Sequence, residues 1–320
     1  MEALIEARNL KKHFDSPKGK VHAVDDVSFK IMPGRTMGVV GESGCGKSTL
    51  GRTMIHLLQS TEGSIYFEGE DVTKVKDKEL KQLREKMQII FQDPYASLNP
   101  RMTVKAIIQE PLILSKRFSD RGSLEAETVR IMDLVGIEER LRNAYPHELD
   151  GGRRQRVGIG RALALNPKFV VCDEPVSALD VSIQAQILNL LMDLQDQMGL
   201  TYLFITHDMS VVKHISNQIC VMYLGQIVEK CDKSELFCHP VHPYTKALLS
   251  AIPTVDIHAK KERILLKGEI KSPINPGPGC RFATRCIYAD ESCKQNCCLQ
   301  EVNPGHFVAC NKVKEIEALG

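Results

Sequence analysis

The chain has no run of 18 apolar residues, so no segment reads as a bilayer-spanning helix. Its opening, MEALIEARNLKKHF, lacks the apolar core of a secretory signal, and the expectation is a chain that stays in the cytosol. An excess of one charge is missing too: 42 Lys and Arg stand against 40 Asp and Glu, for a formal net charge of +2. That balance is too weak to argue for a nucleic acid or an acidic membrane surface as partner. There is no internal repeat and no heptad run. What is present is ordinary globular material, 43% hydrophobic and 26% charged over 320 residues, enough for one large domain plus a smaller one or for two medium ones. The exception is 11 cysteines. In a cytosolic chain of this length they point to metal or redox use where they cluster.

Short apolar runs alternate with helical stretches over the first 230 or so residues. TMGVVG (Thr36–Gly41), MQIIFQ (Met87–Gln92), FVVCDE (Phe169–Glu174) and TYLFITH (Thr201–His207) read as buried strands. Helices are predicted over Ser48–Gln59, Ser123–Val135, Arg154–Leu165 and Ser182–Gln197. This alternation predicts an α/β fold with a mainly parallel sheet covered by helices. The opening differs, with two antiparallel strands joined at DSPKGK, and Gly63–Val72 reads as a further strand. Near Ile257–Asn275 the pattern dissolves into charge and then into the Pro/Gly linker SPINPGPG.

The nine residues GESGCGKST (Gly41, Glu42, Ser43, Gly44, Cys45, Gly46, Lys47, Ser48 and Thr49) follow one predicted strand and open a helix. They match G-x-x-x-x-G-K-[ST] in the strand–loop–helix setting that the phosphate loop requires. The glycines let backbone N–H groups curl round phosphate oxygens. Lys47 brings a point charge to the β and γ phosphates, and Ser48 a hydroxyl to Mg²⁺. A Gly-rich turn that binds nothing would not need Lys and Ser at these two positions. Cys45 occupies a free position of the motif and reads as a small filler. FVVCDEP supplies a second half: Asp173, at the end of a buried strand, suits Mg²⁺ held through water, and Glu174 suits polarising an attacking water. Alone, such a strand end is as often two solvated acids. Downstream of a phosphate loop the catalytic reading is preferred.

The residues between these motifs narrow the class. Gln92 lies in IIFQDPYASLNP, LDGGR spans Leu149–Arg153, SALD spans Ser177–Asp180, His207 lies in FITHDMSVV, and Phe14 ends LKKHF. In this order they resemble the ATP-binding subunits of ABC transporters. FQDPYASLNPRMTV, EPVSALDVSIQAQILNLL and CHPVHPYTKALLSAIP (Cys238–Pro253) are similar to the branch that serves dipeptide, oligopeptide and nickel importers. The resemblance covers nearly the whole chain. It implies a P-loop ABC ATPase domain over 1–235, with antiparallel and helical subdomains, and a small Cys-rich extension over 236–320. It implies MgATP as ligand, with Phe14 stacking on adenine, Gln92 at the metal and γ phosphate, and Glu174, His207 and Gln92 carrying hydrolysis. The implied partners are a second ATPase chain, two transmembrane permeases and, indirectly, an extracytoplasmic solute-binding protein, with no nucleic acid. The implied place is peripheral, on the cytoplasmic face of the membrane. A soluble ABC ATPase acting on ribosomes or DNA is the rival, and one phosphate loop without coiled coils speaks against it. An iron–sulfur redox protein is a second rival, opposed by the complete set of hydrolysis motifs.

In this family each ATP site takes a phosphate loop from one chain and a signature helix from the other. The signature is usually LSGGQ. Here Asp150 replaces its Ser and Arg153 its Gln, around Gly151 and Gly152. Asp caps a helix as well as Ser does, but like unit charges at ~4 Å cost about 4 kcal/mol at an effective dielectric of ~20. Arg153, Arg154 or Arg156 would offset part of this. The pair reads as a compensated, altered site paired with a different ATPase; neutral drift is the alternative.

Six cysteines fall between Cys280 and Cys310. Cys280, Cys286, Cys293 and Cys310 give C-x5-C-x6-C-x16-C. Four thiolates suit a [4Fe–4S] cluster or a tetrahedral zinc, and structural zinc favours closer spacings. Similarity to peptide-importer ATPases favours the cluster, with zinc and no metal as alternatives. Cys297 and Cys298 read as free thiols or as substitutes for Cys293. Cys172, Cys220, Cys231 and Cys238 read as packing residues.

Overall fold

The computed structural model describes residues 2–118, 120–252, 263–266, 268, 273–295 and 297–318. Most of the charged stretch 257–275 therefore lies outside the described residues. The strands in chain order are β1 (Ile5–Ser16), β2 (Gly19–Ile31), β3 (Thr36–Val40), β4 (Glu62–Phe67), β5 (Glu70–Asp71), β6 (Met87–Ile90), β7 (Phe169–Asp173), β8 (Thr201–Thr206), β9 (Gln218–Tyr223), β10 (Gln226–Asp232), β11 (Gln300–Asn303) and β12 (His306–Val308). Two compact units contain them. One holds residues 1–5, 31–35 and 74–204; the other holds 6–30, 36–73 and 205–320.

In the first unit the strand order is β8-β7-β6. β6 and β7 pair in parallel, Met87 beside Phe169 through Ile90 beside Cys172. Every residue of β7 and β8 is buried, as expected of a parallel sheet covered on both faces. The helix Gly151–Leu163, capped by Asp150, begins three residues before the predicted start. Gly160 lets it pack closely, since a Cβ there would stand 3.3 Å from Ile131 Cγ2. The helix Arg121–Leu134 is capped by Asp120, and Val181–Met198 ends at Gly199 in the left-handed region, both within two residues of the prediction. The helix Val104–Ser115, capped by Thr103, was not predicted, because Pro111 lies inside it.

The second unit holds a sheet of order β2-β1-β4-β5 and the run β11-β12-β10-β9-β3. The predicted strand Gly63–Val72 is a hairpin, β4 and β5, turned at Glu68 and Gly69, both with positive φ. β3 and β9 pair in parallel, β9 and β10 antiparallel. The C-terminal strands join this sheet directly: β12 lies antiparallel to β10, Glu229 opposite Val308. The helix after β3 is shorter than predicted, Lys47–Met54, and the chain turns at His56 with φ 56°. Behind it Tyr223, Tyr244 and Phe282 pack as one aromatic group with centroids 4.8 to 5.4 Å apart. Two of these three rings, Tyr244 and Phe282, come from the last 80 residues of the chain.

Candidate nucleotide site and cysteine cleft

The phosphate-loop motif lies in the second unit, between β3 and the helix Lys47–Met54. Gly46 is the N-cap, with φ 105°. Any Cβ there would meet Ala23 O at 1.9 Å, so only glycine fits. It puts no side chain over the first N–H groups of the helix, which suits an anion. Lys47 is buried, and its ammonium donates to Gly41 O at 2.7 Å and Glu42 O at 3.0 Å. Burial pushes the Cys45 thiol up despite nearby Lys47, in keeping with a filler role.

Glu42 has further partners that the motif does not announce. Its N–H donates to Tyr244 Oη at 2.8 Å. Its carboxylate accepts from Arg285 Nη1 at 2.7 Å and Nη2 at 3.2 Å. In the same unit Phe14 is 37% exposed with Lys12 Nζ 4.8 Å from its ring centre, and His207 follows β8. Beside Phe14, the His13 and His22 rings stack at 3.9 Å and both reach Asp25. Their ligand atoms would fit a metal, but Arg281 also binds Asp25 and already supplies a cation there.

The first unit carries the other predicted groups. Asp173 ends β7 and is 1% exposed. Glu174 follows with φ 48°, a left-handed conformation unusual for glutamate. Gln92 Nε2 donates to Glu174 Oε2 at 3.1 Å, so two of the expected catalytic side chains meet. Ser177 Oγ donates to Glu174 O at 3.1 Å. At the signature, Asp150 accepts from Arg153 N at 2.7 Å and from Arg153 Nη1 at 3.0 Å. Gly152 sits so close to Ile183 that a Cβ would stand 2.8 Å from it. The expectation for the neighbouring arginines is corrected. Arg154 bonds Pro146 O and covers the Tyr95 ring, and Arg156 donates to Val135 O at 2.8 Å.

Cys280, Cys286, Cys293 and Cys310 all line one small cleft, with His242, Phe282 and Tyr288 among the other walls. The Cys280 thiol is pushed down, chiefly by Cys297, against burial and with help from His242. Burial pushes Cys286 up to about 11. A zinc at ~2.3 Å from four sulfurs needs them about 3.8 Å apart. Among the described residues only His13, His22 and Asp25 form a trio of possible ligand atoms within 4.8 Å. The four cysteines form no such trio, and as a donor set four thiols suit either a tetrahedral zinc or an iron–sulfur cluster. Cys297 belongs to this group through Cys280; spacing alone did not assign it.

Comparison with known proteins gives the class. A family described as ABC transporter matches residues 24–177, and one described as Oligopeptide/dipeptide transporter, C-terminal region, matches 228–293. The dimeric post-hydrolysis state of the ATP-binding cassette MJ0796 bound to ADP and Pi aligns with TM-score 0.66 and 29% identity, over 72% of this chain and 98% of that one. The putative oligopeptide transport ATP-binding protein YkfD of Bacillus subtilis is 52% identical over 98% of this chain and 97% of its own length. The dipeptide transport ATP-binding protein DppF of Haemophilus influenzae is 48% identical over 96% of each. The chain belongs to the ABC transporter family, as an ABC-type ATPase of the oligopeptide and dipeptide transport type.

Proposed function

We propose that this chain is the ATP-hydrolysing subunit that powers import of di- or oligopeptides. The observation that carries this is the pairing, in one chain, of an ABC ATPase motif set with the C-terminal region matched at 228–293. Residues 1–235 are proposed as the ATPase domain and 236–320 as the extension. Phe14 stacks on adenine, Gly41–Thr49 wrap the phosphates, and Lys47 neutralises the β and γ phosphates. Ser48, Asp173 and Gln92 hold Mg²⁺. Glu174 polarises the attacking water, and His207 steadies the γ phosphate. The signature Asp150, Gly151, Gly152 and Arg153 serves the nucleotide held by a second, different ATPase chain.

Two permeases complete the transporter at the cytoplasmic face of the membrane, and a solute-binding protein delivers peptide from outside. Among the described residues no helix is long and apolar enough to cross a membrane, so in this reading the permeases supply the path. Cys280, Cys286, Cys293 and Cys310 are proposed to hold a [4Fe–4S] cluster, which when bound would tie four points of the extension together. Reconstitution with the two permeases and the partner ATPase in vesicles tests the function. ATP hydrolysis should rise when peptide-loaded binding protein is added. A rise with nickel and none with peptide would reassign the substrate, and no response to any solute would remove the importer reading.

A further inference from the structure

We propose that the C-terminal extension presets the phosphate loop for nucleotide, with Arg285 and Tyr244 as positioning residues acting through Glu42. The proposal rests on the reading of Gly41–Thr49 as the phosphate loop.

Glu42 is gripped on two sides. The Tyr244 hydroxyl accepts its N–H at 2.8 Å, and the Arg285 guanidinium takes its carboxylate in a two-pronged pair at 2.7 and 3.2 Å. The same residue's carbonyl accepts from Lys47 Nζ at 3.0 Å. The extension therefore touches the peptide that helps aim the phosphate-binding ammonium. Both grips are rigid. Tyr244 is fully buried among Tyr223 and Phe282, and the Arg285 side chain is 8% exposed. Neither residue is free to bind phosphate itself, because each is committed to Glu42.

A second strap runs parallel to the first. Arg281 donates to Leu224 O and to Asp25. Asp25 N donates to Gly225 O, and Gly225 N to Cys45 O, each at 2.8 Å. Arg281 and Arg285 thus hold both ends of the loop's first half, and they lie between Cys280 and Cys286 of the cleft. The loop carries glycines at 41, 44 and 46, all with positive φ. Such a chain loses much freedom on closing around phosphate. Holding it closed beforehand lowers that loss and tightens binding.

The test titrates the full-length chain with a fluorescent ATP analogue. Arg285→Ala should weaken binding about 10- to 100-fold, the loss expected for a charge-assisted pair. Arg285→Lys should recover part of it. Tyr244→Phe keeps the packed ring and removes only the acceptor, and should weaken binding by about 2- to 10-fold. Glu42→Gln with Arg285→Ala should be no worse than Arg285→Ala alone, since both cut one link. Variants that melt earlier yet bind the analogue like wild type would reduce the contacts to plain structure and overturn the proposal. Should Arg285→Ala fail to fold, Tyr244→Phe decides alone. Lys47→Ala is the control. Wild type no tighter than Lys47→Ala would overturn the phosphate-loop reading, and the proposal with it.

Discussion

Asp150 is bonded twice by Arg153, through the backbone N–H at 2.7 Å and the guanidinium at 3.0 Å. Its carboxylate is thus both the cap of the helix Gly151–Leu163 and half of an ion pair. The cap explains why an acid is tolerated at a helix start, and the guanidinium offsets the charge it would show to a phosphate. The pair is half-exposed, so water screens it and the cap carries most of its worth. Asp150→Ala should cost about 1 kcal/mol of stability, read as an earlier thermal melt, and Asp150→Ser should cost almost nothing. Equal losses for Ala and Ser would mean that the carboxylate pair, not the cap, is what the helix needs.

The proposed roles of Lys47 and Glu174 assign binding to the first and hydrolysis to the second. Lys47→Ala should abolish binding of a labelled ATP analogue. Glu174→Gln should keep that affinity while steady-state phosphate release by the assembled transporter drops by about 100-fold or more, because the water loses its base. In a heteromeric pair the Glu174→Gln change here should hurt transport more than the same change in the partner, whose own nucleotide faces Asp150. Turnover near wild type would remove Glu174 as the base. Equal damage from both chains would make Asp150 simple drift.

The half of the site that was legible in the sequence is the half built from neighbours in the chain. GESGCGKST and FVVCDE declare a strand, a turn and a charge within a few residues, and β3 and β7 are buried from end to end as such runs require. Asp150 as a cap is equally local. Arg285 on Glu42 is not, because the two are 243 positions apart and neither residue type announces the other. The same holds for Glu229 and His306, 77 positions apart. β11 and β12 escaped because QEVN and HFV are short and show no clear alternation. Proximity in sequence makes Arg154 and Arg156 candidates for offsetting the Asp150 charge, whereas their side chains turn to Pro146 and Val135 in the protein. Spacing on a helix decides which face a residue takes.

His306 links the extension to pH. Its Nε2 lies 2.8 Å from Glu229 Oε1, and Glu229 also accepts from Val241 N and His242 N. Burial works against the imidazolium, but Glu229, aided by Glu235, outweighs it and raises the His306 pKa. Folding therefore favours the protonated ring. The stability this gives is complete below the unfolded value of about 6.5 and fades as pH rises through the higher folded value. Thermal melts between about pH 6 and about pH 9 should decline for wild type and be flatter for His306→Gln. A steeper decline in the variant would mean that the buried ring is neutral.

The cysteine cleft gives the last expectation. Four sulfurs line it, and one of them, on Cys280, is favoured as thiolate by Cys297 and His242. A metal ligand must lose its proton, and a lowered Cys280 thiol makes that easier. The occupant proposed for these four cysteines is a [4Fe–4S] cluster. Protein purified without oxygen should therefore be brown, with broad absorbance near ~400 nm and about four irons per chain. Cys280→Ser with Cys286→Ser should remove both colour and iron. Cys297→Ser should retain iron, because the proposed ligands are Cys280, Cys286, Cys293 and Cys310. Cys298→Ser should behave as wild type. Colourless anaerobic protein carrying one zinc would decide for zinc. Loss of iron in Cys297→Ser together with its retention in Cys293→Ser would exchange those two residues as ligands.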